Sequence, residues 1–548
     1  MGRDMVETRI AVVGMGPRSL GALEALAARL GNDAAPLSVD CYDPFPACGA
    51  GPNFDPEELD LCRLNIPMRD IDIRPPEFTG CSTFAEWLAD TPHPDVFPAR
   101  ADLGRYLEAR YNALRRSGRL AITHLPTIAT ELKQEGDLWM LRADDAWHGP
   151  YTEVLLSVGQ PQVQPDEQLA EWQQHASAEG RTVAQAYPAR RLAEEAAGWT
   201  GRTVAIRGLA LSAFDVLRVL TTAQGGRFEE GQYIASGKEP AQIVPFSLDG
   251  LPPFPKPETE ALDARFNLSA AETELFSTNI QAAAIANPEQ ARTLLTEALV
   301  SPVIRILTEF GAETDFSAVF AWLETEFSDP GTQETEGPVE TLKTGIAMAE
   351  GAATPSIGYT VGQVWRKWQD QLRSGYNPAK TQPDTADLIV AFDEGLKRYS
   401  YGPPVSSSRE LAALIEAGIV TLDHAADPDI ALTEGGWTLT SDQGAVEADV
   451  MIDAVIASPD LSILRSSLLN GLIEEGRLCP ISESLAADTA ADAQIIGQEG
   501  TRSLGLCLLG RLALGSVVAA DSLHDCFGAA SHRWAQGVVE RMEGRVEA

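Results

Sequence analysis

Paired cysteines, metal-ligand clusters and long apolar runs are all missing from this sequence of 548 residues. The seven cysteines (Cys41, Cys48, Cys62, Cys81, Cys479, Cys507 and Cys526) are odd in number, well separated and include no CxxC pair. Such spacing argues against a zinc ribbon or a redox-active disulfide and fits a reducing, cytoplasmic setting with buried free thiols. No uncharged apolar run approaches the ~20 residues of a membrane span, so none is expected. The opening stretch MGRDMVETRIAVVGMG lacks the basic, apolar and small-residue order of a secretory signal, so none is expected there. The seven histidines form no HxH, HExxH or His-x-x-Glu cluster, which speaks against a metal centre. Absence of Gly-x-Ser-x-Gly disfavours an esterase. Basic residues are scarce, 42 against 79 acidic, for a net charge of −37. That surface repels phosphate backbones and anionic lipid, so neither nucleic acid nor membrane is an expected partner. A local arginine cluster outweighs a distant acidic field within roughly 10 Å, so a small anionic substrate stays open.

What is present is an ordinary globular composition, 44% hydrophobic and 22% charged, long enough for two or three domains. Arg9-Ile-Ala-Val-Val-Gly14 reads as a short buried strand ending on a glycine. Gly14-Met-Gly16-Pro-Arg-Ser19-Leu-Gly21 follows, then a helical stretch over 20–30, a polar break at 31–33, and a second strand over 37–43 that ends in Asp43. The order strand, glycine turn, helix, strand, acid has a physical meaning. Gly14 permits a tight turn, Gly16 lets a pyrophosphate approach, and the helix N-terminus offers free N–H groups and a positive dipole end. An acid some twenty or more residues later accepts hydrogen bonds from ribose hydroxyls. Ser19 stands at the third glycine position, which loosens helix–strand packing unless Gly21 compensates.

Further segments extend the pattern: Pro44-Phe-Pro-Ala-Cys-Gly49-Ala-Gly51, Leu61-Cys-Arg-Leu-Asn65-Ile-Pro67, Pro98-Ala-Arg100-Ala-Asp-Leu-Gly104, Val154-Leu-Leu-Ser-Val-Gly159 and Val204-Ala-Ile-Arg207-Gly208-Leu-Ala-Leu-Ser212-Ala-Phe-Asp215. Together these resemble the FAD–NAD(P)-binding family of flavoproteins. That family is distantly similar to the monooxygenases that N-hydroxylate ornithine and lysine or oxidise aspartate to nitrosuccinate. The resemblance is densest over the first 260 residues and near the C-terminus. It implies an α/β chain with two Rossmann-like dinucleotide-binding domains and a helical insertion. Expected boundaries are 1–200 for the first part of the FAD domain, 201–258 with 401–460 for the second nucleotide-binding-like domain, 259–400 for the insertion, and 461–548 for the return to the FAD domain. By the same resemblance, Gly14, Gly16 and Ser19 cradle the FAD pyrophosphate and Asp43 holds the ribose. Asn65 sits on the flavin side, Arg100 is a partner of the cofactor, and Gly159 ends a strand beside it. Gly510 and Asp521 supply backbone and an acid near the ribityl chain.

The second nucleotide turn has one glycine, Gly208, with Ser212 opening its helix. Arg227 and Lys238 either meet a 2′-phosphate, which favours NADPH over NADH, or sit on a solvated or substrate-facing loop. Residues 261–327 carry helical spacing, and Trp365 and Trp368 share a helix face as core or as ligand stackers. Strands are expected over 418–423, 436–440 and 448–456. His524 beside Asp525, with His532 and Arg533 beyond, is the best titratable cluster; it acts as a base near neutrality or as a domain-interface histidine. The implied activity is an FAD monooxygenase driven by NAD(P)H, passing oxygen from a flavin hydroperoxide to a small amine or amino acid, with molecular oxygen as co-substrate. A flavin dehydrogenase or oxidase without nicotinamide, and a non-catalytic FAD-binding interaction protein, are the alternatives. Oligomeric state is not legible.

Overall fold

The computed structural model describes residues 8–31, 35–90 and 92–547, with side chains in the last helix up to residue 544. Residues 1–7 of the opening stretch and most of the expected polar break at 31–33 lie outside the described residues.

Two separate parallel sheets organise the chain. The first places six strands in the order 494–496, 502–508, 153–156, 9–13, 37–42, 120–125. All neighbours run parallel except the first pair. Arg9–Val13 lies at the centre because Ile10, Ala11 and Val12 are apolar on both faces and fully buried, as a doubly covered parallel strand requires. Val13 is in register with Tyr42 on one side and Leu156 on the other, so the chain leaves the sheet at Gly14 where strand order reverses. Such a reversal opens a crevice outside the carboxyl ends of the strands. Helix Pro17–Arg29 covers one face, packing Leu20, Leu23 and Leu26 with Trp534 and Val538 of the closing helix Ala529–Glu547. A three-stranded antiparallel meander over 129–151 interrupts the crossover between 120–125 and 153–156.

The second sheet orders its strands 242–246, 203–207, 450–453, 182–185, all parallel. Strand Thr182–Gln185 therefore joins the second sheet, ahead of the expected start at 201; four residues are too few for periodicity to assign them. The strand expected over 418–423 is reduced to one parallel bridge, Ile243 to Val420. Gly418, at φ +73°, closes the preceding helix instead. The other two expected strands form as Gly436–Ser441 and Val450–Asp453.

Between the strand at 242–246 and the return at 450–453 lies a block of helices from Glu260–Ala264 to Pro383–Ser400, continued by Val405–Glu416. Its tryptophans are core: Trp365 donates Nε1–H to Asp393 at 2.7 Å, and Trp368 stacks on Phe276 with centroids 4.3 Å apart. Val405–Glu416 packs Leu411 and Leu414 on the second sheet. No helix of the described residues is long and apolar enough to cross a membrane.

Candidate functional site

The carboxyl ends of both sheets and the helical block enclose one cleft of about 3000 Å³. Gly14, Gly16, Asp43, Asn65, Arg100, Gly159, Gly208, Ser212, Gly510, Asp521 and His524 all line it. Ser19, Arg227, Lys238 and Asp525 do not.

The first turn is built by close contacts. Gly14 has φ +87°, and a Cβ there would fall 2.3 Å from the Ser157 carbonyl oxygen. Its N–H donates to Tyr42 O at 2.9 Å. Asp43 ties the turn to the second strand, accepting from Met15 N at 2.5 Å and Phe45 N at 2.8 Å. Gly16 caps helix Pro17–Arg29 without a side-chain bond, and a Cβ there would meet nothing nearer than Gly51 Cα at 3.9 Å. No protein atom requires that glycine, and it leaves open space beside the helix's first-turn N–H groups, the kind of place where an anion can be met. Ser19, expected beside the two glycines, does not line that space: fully buried, it donates its hydroxyl to Gly14 O at 2.6 Å and locks the turn from behind. Close packing falls to Gly21, whose added Cβ would lie 2.0 Å from Cys526 O.

The second sheet repeats the design. Gly208 has φ +110°, donates to Phe246 O at 2.7 Å, and would bring a Cβ within 3.2 Å of the Ala454 carbonyl. Ala210 caps the next helix at φ −93°, ψ −158°, close to Gly16 at φ −84°, ψ −168°. A methyl thus stands where the first turn has a hydrogen. Ser247 follows strand Gln242–Phe246 as Asp43 follows Leu37–Tyr42. Arg227 and Lys238 are exposed on the 227–238 hairpin segment, with Arg227 paired to Glu229. A crossover helix runs back along its sheet, so the residues after it emerge at the amino ends of the strands, away from the cleft.

The remaining expected residues hold the halves together. Arg100 pairs with Asp215 at 2.9 Å, donates Nε–H to Arg63 O, and covers the Tyr187 ring; Tyr187 donates its hydroxyl to Asp215. Arg100 and Asp215 therefore join the two sheets' helices at the cleft wall. Asp521 accepts from Lys397 Nζ at 2.7 Å, which binds the C-terminal return to the helical block. Gly510, at φ +109°, lies against Arg18. His524 and Asp525 do not act as a pair. The imidazole donates Nε2–H to Asp70 O at 2.6 Å, whereas Asp525 is buried and accepts from Arg18 at 2.6 Å. His532 lies against Arg29 and Arg533 donates to Ala491 O, because the turn at 527–528 redirects the closing helix.

Sequence reasoning missed a basic group on the helical side of the cleft. Lys256 is 7% exposed and donates Nζ–H to Asn65 O. Arg366 and Lys367 both reach Asp263, and Arg366 stands 3.7 Å from Asp70. Burial, with Arg366 adding its repulsion, lowers the Lys256 ammonium to about 7 while Asp70 and Asp263 oppose the shift. Lys256 follows Pro253 and Pro255 in an irregular segment, and no periodic signal marks it.

Residues 11–161 match the FAD-NAD(P)-binding family. Nitrosuccinic acid synthase of Aspergillus oryzae is 24% identical, over 86% of this chain and 82% of that protein. Among solved structures, reduced ornithine hydroxylase from Pseudomonas aeruginosa superposes with TM-score 0.50 at 11% identity, covering 99% of this chain and 100% of that one. Ornithine N-hydroxylase of Kutzneria sp. 744 reaches 0.49 at 13% identity over 98% and 99%. The chain thus carries an FAD-NAD(P)-binding domain at residues 11–161, within an overall fold like that of ornithine hydroxylase.

Proposed function

We propose that the protein is an FAD-dependent, NAD(P)H-driven monooxygenase that N-hydroxylates a small amino acid in the cytoplasm. The overall balance is R–NH2 + O2 + NAD(P)H + H⁺ giving R–NHOH + H2O + NAD(P)⁺. The observation that carries this reading is the pair of matching turns, Gly14–Gly16 and Gly208–Ala210, opening from two sheets into one cleft. One turn suits FAD and the other a nicotinamide nucleotide. Gly14, Gly16 and the first turn of helix Pro17–Arg29 hold the FAD pyrophosphate, and Asp43 takes the ribose hydroxyls. Bound FAD supplies electron acceptance from NAD(P)H and activation of dioxygen. The chain's part is to orient the amine and exclude water. Arg100, Asp215 and Tyr187 fix the two sheets, and His524 ties the C-terminal return to Asp70 beside Asn65. Arg366 and Lys367 give an amino-acid carboxylate a cationic wall. A relative named for nitrosuccinic acid synthesis directs the first assay to L-aspartate, which has the same carbon skeleton.

The test is an absorbance spectrum of the FAD-loaded protein, anaerobic addition of NADPH or NADH, then air with L-aspartate. Bleaching followed by a hydroxylamine or more oxidised nitrogen product supports the reading. Ala210 favours the second reading, a flavin dehydrogenase or oxidase, because its methyl crowds the second turn. A flavin bleached by an amine alone, and left oxidised by both nicotinamides, selects that alternative.

A further inference from the structure

We propose that Lys256 is the base that takes the proton from the substrate ammonium, making the amine nucleophilic before oxygen transfer. The proposal rests on the N-hydroxylation reading above. An ammonium has no lone pair to attack an electrophilic oxygen, and an amino acid near neutral pH is almost wholly ammonium, so the site needs a proton acceptor. Lys256 lines the cleft, yet its one hydrogen bond goes to the neutral Asn65 carbonyl, and it joins none of the ion pairs among the described residues. The groups facing it come from each packed element. Asp70 and Arg69 stand on the turn 68–70, where Asp70 O also receives His524 Nε2–H. Asp263 comes from Glu260–Ala264 and Arg366 from Ile357–Lys367, a helix whose Tyr359 hydroxyl donates to Pro255 O and whose Lys367 pairs with Asp263. Both nearby carboxylates are engaged by other cations: Asp263 by Arg366 and Lys367, Asp70 by Arg69 and Arg366. Lys256 is thus a buried amine among guanidinium groups without a carboxylate of its own, the setting that releases a lysine proton. In the step, the substrate N–H bond breaks and its proton joins the Lys256 lone pair. The products are a neutral substrate amine and a Lys256 ammonium, which returns its proton to solvent through the cleft.

The experiment compares wild type, Lys256→Met and Lys256→Arg, each checked for FAD content, as N-oxidised product formed from L-aspartate and NADPH between pH 6 and 10. Wild-type kcat/KM rises with a midpoint near 7, the value to which burial brings this lysine. Both variants fall at least about tenfold at pH 7.5 and recover only as pH approaches the pKa of the substrate amine. Arginine keeps the charge and length but cannot accept a proton at these pH values. Wild-type rates and an unshifted limb in Lys256→Arg would show a cationic anchor and overturn the proposal. Should Lys256→Met fail to fold, Lys256→Arg alone decides. An FAD-loaded wild type that makes no N-oxidised product overturns the N-hydroxylation reading itself, a result distinct from either variant outcome.

Discussion

Asp393 is wholly buried, with Oδ1 taking the Trp365 indole N–H and Oδ2 lacking any partner. Burial pushes its carboxyl up to about 6 despite the neighbouring Lys397. The folded value lies above the unfolded one near ~3.9. Its stabilising contribution is therefore complete below about pH 4 and lost as pH rises through 6, a swing of about 2–3 kcal/mol. Asp393→Asn keeps an acceptor for Trp365 and has no charge to bury. Its thermal midpoint should exceed wild type at pH 8 and match it at pH 4; equal midpoints at pH 8 would refute the argument. The Arg18–Asp525 pair behaves oppositely, because each partner needs the other. Asp525→Ala strands a buried guanidinium, so a loss of about 3–5 kcal/mol in denaturant titration is expected. Because Arg18 sits in the first turn beside Gly16, the same variant should bind FAD more weakly. Asp525 was legible as a titratable residue, but its partner lies 507 positions away, and adjacency to His524 pointed to the wrong neighbour.

At the scale of elements, the two glycine turns separate fold from function. Gly14 is fixed by the Ser157 carbonyl and its positive φ, whereas Gly16 faces only the cleft. Gly14→Ala should lower stability and soluble yield, and Gly16→Ala should keep the melting midpoint of the apoprotein while FAD affinity falls tenfold or more, about 1.4 kcal/mol. FAD titration by fluorescence quenching distinguishes them, and equal affinity in Gly16→Ala would remove the cradle. Ala210→Gly should tighten nicotinamide binding in the same assay format. These turns were readable from sequence because strand, glycine turn and helix are consecutive in both, with an acid, Asp43, closing the first. The succession of elements in the first sheet was readable for the same reason up to Asp43, whereas the order of its strands was not. Strand Thr182–Gln185 and the single bridge at Val420 were not, since neighbours far along the chain decide whether so few residues pair. Lys256, Arg366 and Lys367 escaped notice because the helical block alone brings positions 256 and 366 together across the cleft.

For the whole molecule, the net charge of −37 opposes every anion the proposed reaction uses. Against it stand the cleft cations Arg207, Arg366, Lys367, Arg465 and Arg511. Which field an approaching nucleotide feels depends on the screening length, about 30 Å at 0.01 M ionic strength and 8 Å at 0.15 M. At low salt the acidic surface acts over most of the molecule and slows encounter. At higher salt that repulsion is screened, while the short-range contacts inside the cleft survive. The second-order rate of flavin bleaching by subsaturating NADPH should therefore rise several-fold between 10 and 150 mM KCl, then fall as salt weakens the cleft contacts themselves. Stopped-flow absorbance measures it directly. A rate that only falls with salt would mean that the cationic wall governs approach at every distance, and that the acidic surface has no part in steering.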